Sequence, residues 1–575
     1  MKYEKRNQYA DIDSLMRDRL AYLEPAINCI KGAEKAIDLI KKAVSENRHI
    51  HIVGDYDVDG ICGTTIAYKG LTAYAKKVGS ESTITPRLPK RQTEGYGLSP
   101  KIVEEIPEHS LLLTVDNGIV AFDAVKLAKK KKMTVIVTDH HLRADSGELP
   151  KADVLIDPNA VARQCVFTGY CGAGIALKLM LELDKDNTEL NNELYVLAAI
   201  ATVADVVPLK NENFVIAQFL KQADINKGLK ALMELFEIVD VDEKDCGYKI
   251  CPALNASGRL FDAGAEDSMN LLMSETDETA SQIAEKLFVI NEQRKLMTEE
   301  AVYEAEEIIE RLNMQNDNPL CVLGDFHEGI IGIIAGRLAE KYRVPCFVFT
   351  PTENYTDNGD VIIKGSGRSY GDNNLKEILD NCKELLGKYG GHKAAAGVSM
   401  PYSNLDEFRK MSSQFAVKTE DVDVIYYDIE IAPDKLKECV EKQLSSLAIC
   451  APYGESNPEP VYLVRNVQLL PKDGKLYKLM GNHQQHIKLY GKNIDFVAFD
   501  LAEKFLELNQ PIKIDLVGKL GKNYFNGVAY YQIEVIDFMP AEKKENVSGS
   551  RISQTIILKQ ESRWNHQIWT ASLSR

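Results

Sequence analysis

The stretch "HIVGDYDVDG" places carboxylates at Asp55, Asp57 and Asp59, spaced i, i+2 and i+4, directly behind a mostly apolar run. Three further apolar runs end in the same way. "LLLTVDNG" delivers Asp116, "TVIVTDHH" delivers Asp139, His140 and His141, and "LAAIATVADVVPL" delivers Asp205. One DxD is a weak signal, because most are caps or solvated loops. Four such clusters form an ensemble, and carboxylates gathered at adjacent strand ends repel one another unless a cation neutralises them. Mixed Asp and His donors with few thiols suit Mn²⁺ or Mg²⁺ better than structural zinc. Two ions about 3.5–4 Å apart, sharing such donors, suit phosphoester hydrolysis. Gly54 and Gly60 let the first loop turn tightly beside the ions.

The elements that must hold these residues follow from hydrophobic patterning. "HIHIV", "LLLTV", "TVIVT" and "DVLI" read as buried strands, and "TTIAYKGLTAYAKKVG" and "AFDAVKLAKKKK" between them read as helices. That alternation predicts a parallel sheet covered on both faces, with ligands at its strand ends. Residues 1 to about 48 read as helical, as in "GAEKAIDLIKKAV". "EKLFVINEQRKLMTEEAVYEAEEIIERLN" contains no Pro or Gly and predicts a continuous helix joining two domains. "PLCVLGD", "IIGIIAGRLAEKY" and "PCFVFT" open a second α/β unit. "HIKLYG", "DFVAFD", "KIDLVGKL" and "VAYYQIEVIDF", with little helix between them, predict a small β-barrel. The expected organisation is therefore multidomain α/β. Residues 1–266 are N-terminal helices and a parallel-sheet domain, 267–316 a connecting helix and 317–415 a second α/β domain. Residues 416–540 form a barrel, and 541–575 a tail of flexible composition.

Composition sets outer limits. At 575 residues the chain needs about three or four cores. No run of eighteen apolar residues appears, so a membrane span is not expected. The charged start "MKYEKRNQYADIDSLMRDRL" lacks an apolar signal core and points to a cytoplasmic protein. Eleven scattered cysteines without a CxxC pair fit reduced thiols rather than zinc or disulfides. A net charge of −16 argues against broad, non-specific nucleic-acid binding but leaves room for a local basic groove.

"GDYDVDG", "VDNG", "TDHH" and "ATVAD" resemble the four motifs of the DHH phosphoesterase superfamily. "RQTEGYGLS", "NASGRL", "FHEGIIGIIAGRLAEKYRVP", "KGSGRS", "GGHKAAAG" and "PYGESNPEPV" resemble the RecJ single-stranded-DNA exonucleases within it. The likeness runs from about residue 48 to 538. It implies a DHH domain, a DHH-associated domain and an OB-fold. It places the ligands of two Mn²⁺ or Mg²⁺ ions on Asp55, Asp57, Asp116, His140 and Asp205, with His141 beside the site. Asp59 and Asp139 are expected to orient ligands or loops. His51 shares strand parity with Asp55 and stays open as a further ligand, while Asp157 in "LIDPN" reads as structural.

An in-line displacement also needs cations around the phosphoryl oxygens. Arg368 in "KGSGRS" and His392 in "GGHKAAAG" are candidates there, although each Gly-rich loop alone could be a plain turn. Arg259 in "NASGRL" either faces the cleft or pairs with Asp262. Arg87, Lys90 and Arg91 near Tyr96 could follow a single strand's phosphates and stack a base, or form a solvated loop with Glu94. In the barrel, Tyr524, Phe525, Tyr530 and Tyr531 with Lys519 and Lys522 are available to a strand, about half of the aromatics belonging to the core.

The implied activity is 5′-to-3′ digestion of single-stranded DNA to 5′-mononucleotides, in recombination and in mismatch or base-excision repair. The chain is expected to act as a monomer, with a helicase and a single-strand-binding protein as partners. Polarity does not follow from these residues. One rival is a phosphodiesterase for short oligonucleotides or cyclic dinucleotides, which the barrel disfavours. Another is a catalytically silent scaffold, which the intact acids and histidines disfavour. Ser456 stands in "PYGESNPEP" where Gly is expected, and the tail with Trp564 and Trp569 matches nothing recognisable.

Overall fold

The computed structural model describes residues 2–6, 10–14, 17, 30–144, 146–161, 165, 167–417, 424–481, 484–492, 494–525 and 528–541. The tail and its two tryptophans lie outside these. The first strand, β1 (Lys2–Lys5), pairs in parallel with Val424–Tyr427, far along the chain. A helical reading of the whole N-terminal segment therefore does not hold. The partner that makes these residues a strand is distant in sequence, so local periodicity carries no trace of it. The helix Ala33–Ser45 does form, burying Ala36, Ile37, Ile40, Ala43 and Val44 along one stripe.

The first sheet comprises β2 (Ile50–Val53), β3 (Ile84–Arg87), β4 (Leu111–Val115), β5 (Thr134–Thr138) and β6 (Val154–Ile156), all parallel, in the order β3-β2-β4-β5-β6. Its two faces serve two cores. Ile50, Ile52, Leu111, Leu113 and Ile136 pack beneath the helices Val58–Lys77, Gly172–Leu183 and Thr188–Ala204. Val53, Leu112, Val135 and Val137 pack on the other side, with Ile102, Val103, Ala124 and Val125. The strand order reverses between β2 and β4, and at such a switch point a crevice opens beyond the strand ends. Asp55 follows β2, Asp116 follows β4, and Asp139 follows β5.

Asp205 is the exception. "LAAIATVAD" is the end of the helix Thr188–Ala204, and Asp205 caps it. A short apolar run is ambiguous between buried strand and buried helix, and Leu194 and Val196–Thr202 are buried all round.

The linking helix spans Asp277–Arg311, capped by Thr276, whose hydroxyl accepts from the Thr279 amide; a separate helix, Ala265–Leu272, precedes it. The long helix packs on the helices Lys227–Leu235 and Cys251–Leu260 at one end and on Ile331–Tyr342 at the other. The next sheet is mixed: β7 (Leu320–Leu323), β8 (Cys346–Tyr355), β9 (Val361–Arg368), β10 (Lys388–Gly391) and β11 (Ala395–Pro401), ordered β10-β11-β9-β8-β7.

After β12 (Val424–Tyr427), the last unit is a seven-stranded sheet of order β13-β14-β18-β19-β17-β16-β15. Its strands are β13 (Ile429–Ile431), β14 (Tyr462–Gln468), β15 (Tyr477–Met480), β16 (His486–Tyr490), β17 (Asp495–Ala498), β18 (Lys513–Phe525) and β19 (Val528–Pro540). It carries more helix than the sequence suggests, namely Leu436–Cys450 and Ala502–Glu507. Arg6, beyond β1, binds both oxygens of the buried Asp428 carboxylate and so fastens the chain's start to this unit. No described helix is long and apolar enough to cross a membrane.

Candidate metal centre and phosphate cleft

Local backbone geometry aims the acids. Asp57 is the N-cap of the helix Val58–Lys77, its Oδ1 accepting from the Gly60 amide at 3.1 Å. Gly60 sits so close under the loop that a Cβ there would lie 2.5 Å from the Asp55 backbone. Asp116 adopts φ 64°, a left-handed conformation that non-glycine residues seldom take, and strain of this kind clusters at functional sites. Gly172 leaves room for it, since a Cβ at 172 would meet Asp116 Cβ at 2.4 Å. Asp205 is followed by Val206 at φ 54°, a second unfavourable turn at a ligand.

These turns bring the acids and histidines together. His140 Nε2 lies 3.0 Å from Asp116 Oδ1, 3.7 Å from Asp205 Oδ2 and 3.5 Å from Asp59 Oδ2. Asp55, Asp57 and Asp116 form one group whose oxygens lie within 4.8 Å of one another. Asp59, His140 and Asp205 form a second, and Asp116, His140 and His141 a third. Asp116 Oδ1 is buried without a hydrogen-bond partner, although His140 Nε2 is near. A buried, unpartnered carboxylate oxygen 3.0 Å from an imidazole nitrogen suits a cation between them. Burial drives the carboxyls of Asp55, Asp57, Asp116 and Asp205 above their ordinary range, and neighbouring carboxylates add to the effect. Asp205 is pushed up to about 8. The described residues bring no Lys or Arg within ion-pair distance of these four acids. The donor set therefore fits a divalent metal.

Asp59 and Asp139 support this centre. Both Asp59 oxygens accept backbone N–H groups, from Gly172 at 2.6 Å and Ala173 at 2.7 Å, at the start of the helix Gly172–Leu183. Asp139 accepts from the amides of Ile119, His140 and His141 and lies 2.7 Å from His141 Nδ1. Burial works against its charge, yet the bonds to His141 and Ile119 hold its carboxyl below the usual range. Burial lowers His140, while His141, also buried, is pushed up to about 9 by its bond to Asp139.

His51 lies on β2, and its Nε2 is buried without a hydrogen-bond partner. The charges that act on it are those of His49 and Arg87, and none of the metal-competent groups contains it. Asp157 accepts from the amides of Asn159 and Ala160 in a turn, consistent with a structural role.

Near the acids lies a group of arginines. Burial, and then the charges of Arg91, Arg294 and Arg368, press Arg259 down to about 10, with Asp57 acting in the other direction. These residues come from a loop, two helices and β9, so only the tertiary fold assembles them. Asp262 does not pair with Arg259. It caps the backbone of the loop after β3 instead, accepting from Gln92 and Thr93. Arg368 donates to Ser366 Oγ and Gly367 O, beneath the helix Ile331–Tyr342, where a Cβ at Gly332 would lie 2.8 Å from its guanidinium. His392, in the exposed turn between β10 and β11, is lowered by partial burial and then by the charge of His141.

The residues of the loop after β3 fare differently. Arg91 lies 4.7 Å over the Tyr56 ring. Arg87 is engaged by Glu94 and Glu105, so it is not a free phosphate contact. Tyr96 donates to the Asp116 carbonyl at 2.9 Å and stands edge-on to Tyr56 and His141, yet stays 44% exposed. Its hydroxyl end belongs to the metal centre's wall.

In the last unit Tyr531 packs against the core, and Lys519 pairs with Glu459 at 3.0 Å. The side chains of Lys522, Tyr524, Phe525 and Tyr530 lie outside the described residues.

Family models match three segments: the DHH family N-terminal domain over 49–202, the DHHA1 domain over 317–418 and the RecJ OB domain over 427–537. The single-stranded-DNA-specific exonuclease RecJ of Dickeya dadantii is 30% identical, over 93% of this chain and 94% of that protein. The chain belongs to the RecJ family. The Bacillus subtilis RecJ is also 30% identical, over 89% of this chain, which spans 64% of that relative's length. The crystal structure of Thermus thermophilus RecJ in complex with Mn²⁺ superposes with a TM-score of 0.73 at 26% identity. It covers 91% of this chain and 73% of that one. The complex of the same protein with Mg²⁺ gives 0.68 at 26% identity, covering 91% of this chain and 72% of that one.

Within this RecJ-family chain, the sequence pattern passed over several residues that build the site. Asn117 donates to the carbonyls of Val53 and Val115 and accepts from Leu98, tying two strand ends and a loop together. Asn159 donates to the His140 carbonyl at 2.6 Å. Arg294, on the long helix, is buried and donates to Asn291. Asn117 adjoins Asp116 and could have been found there. Arg294 reads as one more charge on a charged helix until the fold buries it.

Proposed function

We propose that this chain is a divalent-metal-dependent exonuclease that digests single-stranded DNA from the 5′ end and releases 5′-mononucleotides, serving recombination and repair. The observation that carries the reading is a buried acid and histidine cluster with arginines near enough for Asp57 to act on Arg259. Asp55 and Asp57 with Asp116 would hold one Mn²⁺ or Mg²⁺ ion, and His140 and Asp205 with the same Asp116 the second. Bound there, such ions lower the pKa of a shared water and withdraw charge from phosphate oxygens. Asp139 fixes the two histidines. Arg259, Arg368 and His392 hold the phosphoryl oxygens in line and offset the charge that develops on them. Arg91 and the exposed part of Tyr96 receive the neighbouring nucleotide. In this reading residues 1–266 carry the metal centre, 267–316 the link, 317–415 the phosphate side and 416–540 the surface that follows the strand. Relatives bearing the name single-stranded-DNA-specific exonuclease RecJ, at 28–31% identity, support it.

Asp116→Ala should abolish Mn²⁺-dependent nucleotide release from a single strand while leaving the circular dichroism spectrum unchanged. Full activity in that variant would refute the metal assignment. Strands labelled at the 5′ or the 3′ end report polarity. Equal turnover of a dinucleotide and a long strand would favour a short-substrate phosphodiesterase instead.

A further inference from the structure

The segment that carries Asp205 does not end at the metal centre. Four residues on, the Leu209 amide donates to the Glu455 carbonyl at 2.8 Å, in the last unit's loop "APYGESN". The Leu209 side chain is buried, and Gly454 is pressed against it so closely that a Cβ there would lie 2.8 Å from Leu209 Cδ1. Nearby, Gln218 Nε2 donates to the Ala451 carbonyl at 2.7 Å.

The loop is itself firmly built. Asn457 donates to the carbonyls of Cys450 and Pro452, Gly454 and Asn457 exchange backbone bonds, and the Tyr453 hydroxyl donates to the Leu447 carbonyl. Ser456 takes φ 59° to complete the turn. Between this fixed point and Asp205 lies Val206, a β-branched residue held at φ 54° and 65% exposed, without the packing that would impose that conformation. A strained residue persists only where its surroundings over-determine it. The two anchors are the helix end at Ala204 on one side and the Leu209–Glu455 contact on the other.

We propose that the loop 451–457 of the last unit is a positioning element for Asp205, setting the metal centre from a separate domain. The inference rests on the two-ion reading above. It makes Leu209, Gly454 and Gln218 positioning residues that never touch substrate.

The full-length chain tests it through Mn²⁺ binding, followed by loss of the free-ion signal in electron paramagnetic resonance. Gly454→Val drives a side chain into Leu209. It should weaken the lower-affinity Mn²⁺ site about tenfold, the low end of what losing an outer-sphere support costs a metal site. The Mn²⁺ concentration for half-maximal dinucleotide hydrolysis should rise in parallel, with kcat at saturating Mn²⁺ little changed. Gln218→Ala, which removes one hydrogen bond and no packing, should shift both in the same direction by a smaller factor and guards against misfolding of the first variant. Unchanged Mn²⁺ binding in both variants, with only KM for a long strand raised, would overturn the proposal and leave the loop a mere tether. No Mn²⁺ binding by the unmodified chain would overturn the two-ion reading itself, and this inference with it.

Discussion

Asp139 shows how much of a metal centre is built by residues that need not touch the metal. Its carboxylate gathers three amides and the ring of His141 into one arrangement, and His140 Nε2 reaches Asp116 only because that backbone is held. Asp139→Asn keeps the size but turns one acceptor into a donor facing other donors. A loss of about 10–100-fold in Mn²⁺ affinity is expected, read by titration, with the fold retained. The acids themselves predict a pH effect. In the metal-free chain the Asp205 carboxyl titrates near 8, against 3.8 ordinarily, chiefly because of burial. Between those values the folded state holds a proton that the unfolded state has released, so stability falls as pH rises. The melting temperature of chelator-treated protein should therefore drop between about pH 5 and 8, and added Mn²⁺ should flatten that slope.

At the scale of elements, the site depends on how closely two helices approach the strand ends. The helix Gly172–Leu183 points its first two amides at Asp59 and passes within a methyl group's width of Asp116. Gly172→Ala should force them apart, costing about 1–3 kcal/mol in chemical denaturation. It should weaken metal binding more than a surface Gly→Ala does, because the displaced atoms belong to a ligand. The strands β2, β4, β5 and β6 were legible in the sequence because a parallel sheet buried on both faces writes itself as continuous apolar runs. The end of the helix Thr188–Ala204 was not, because a helix buried all round looks the same over a short window. Asp205 was nonetheless found, since its chemistry does not depend on whether a strand or a helix delivers it. β1 was missed, since its partner among the described residues is β12, far along the chain.

Across the whole molecule, a net charge of −16 is compatible with the proposed polyanionic substrate because Arg91, Arg259, Arg294 and Arg368 are gathered near one another. Few phosphates are then neutralised at once. With Arg91, Arg259 and Arg368 as the contacts, log K against log[salt] should have a slope near about −2, measured by fluorescence anisotropy on a short single strand. A much steeper slope would mean that a broad basic surface elsewhere does the binding. The sequence by itself singled out the acids, the histidines and the order of the three units, because the candidate ligands follow apolar runs, whether a strand or a helix ends there. It also singled out Arg259, Arg368 and His392, without deciding whether they met. Only the tertiary structure brought Arg91, Arg259, Arg294 and Arg368 together, removed Arg87 by pairing it with two glutamates, and left His51 outside the groups that could hold a metal. The physical reason is range. Periodicity and turn chemistry act over a few residues, whereas a charge is free or paired, near or far, according to neighbours that the chain brings in from elsewhere.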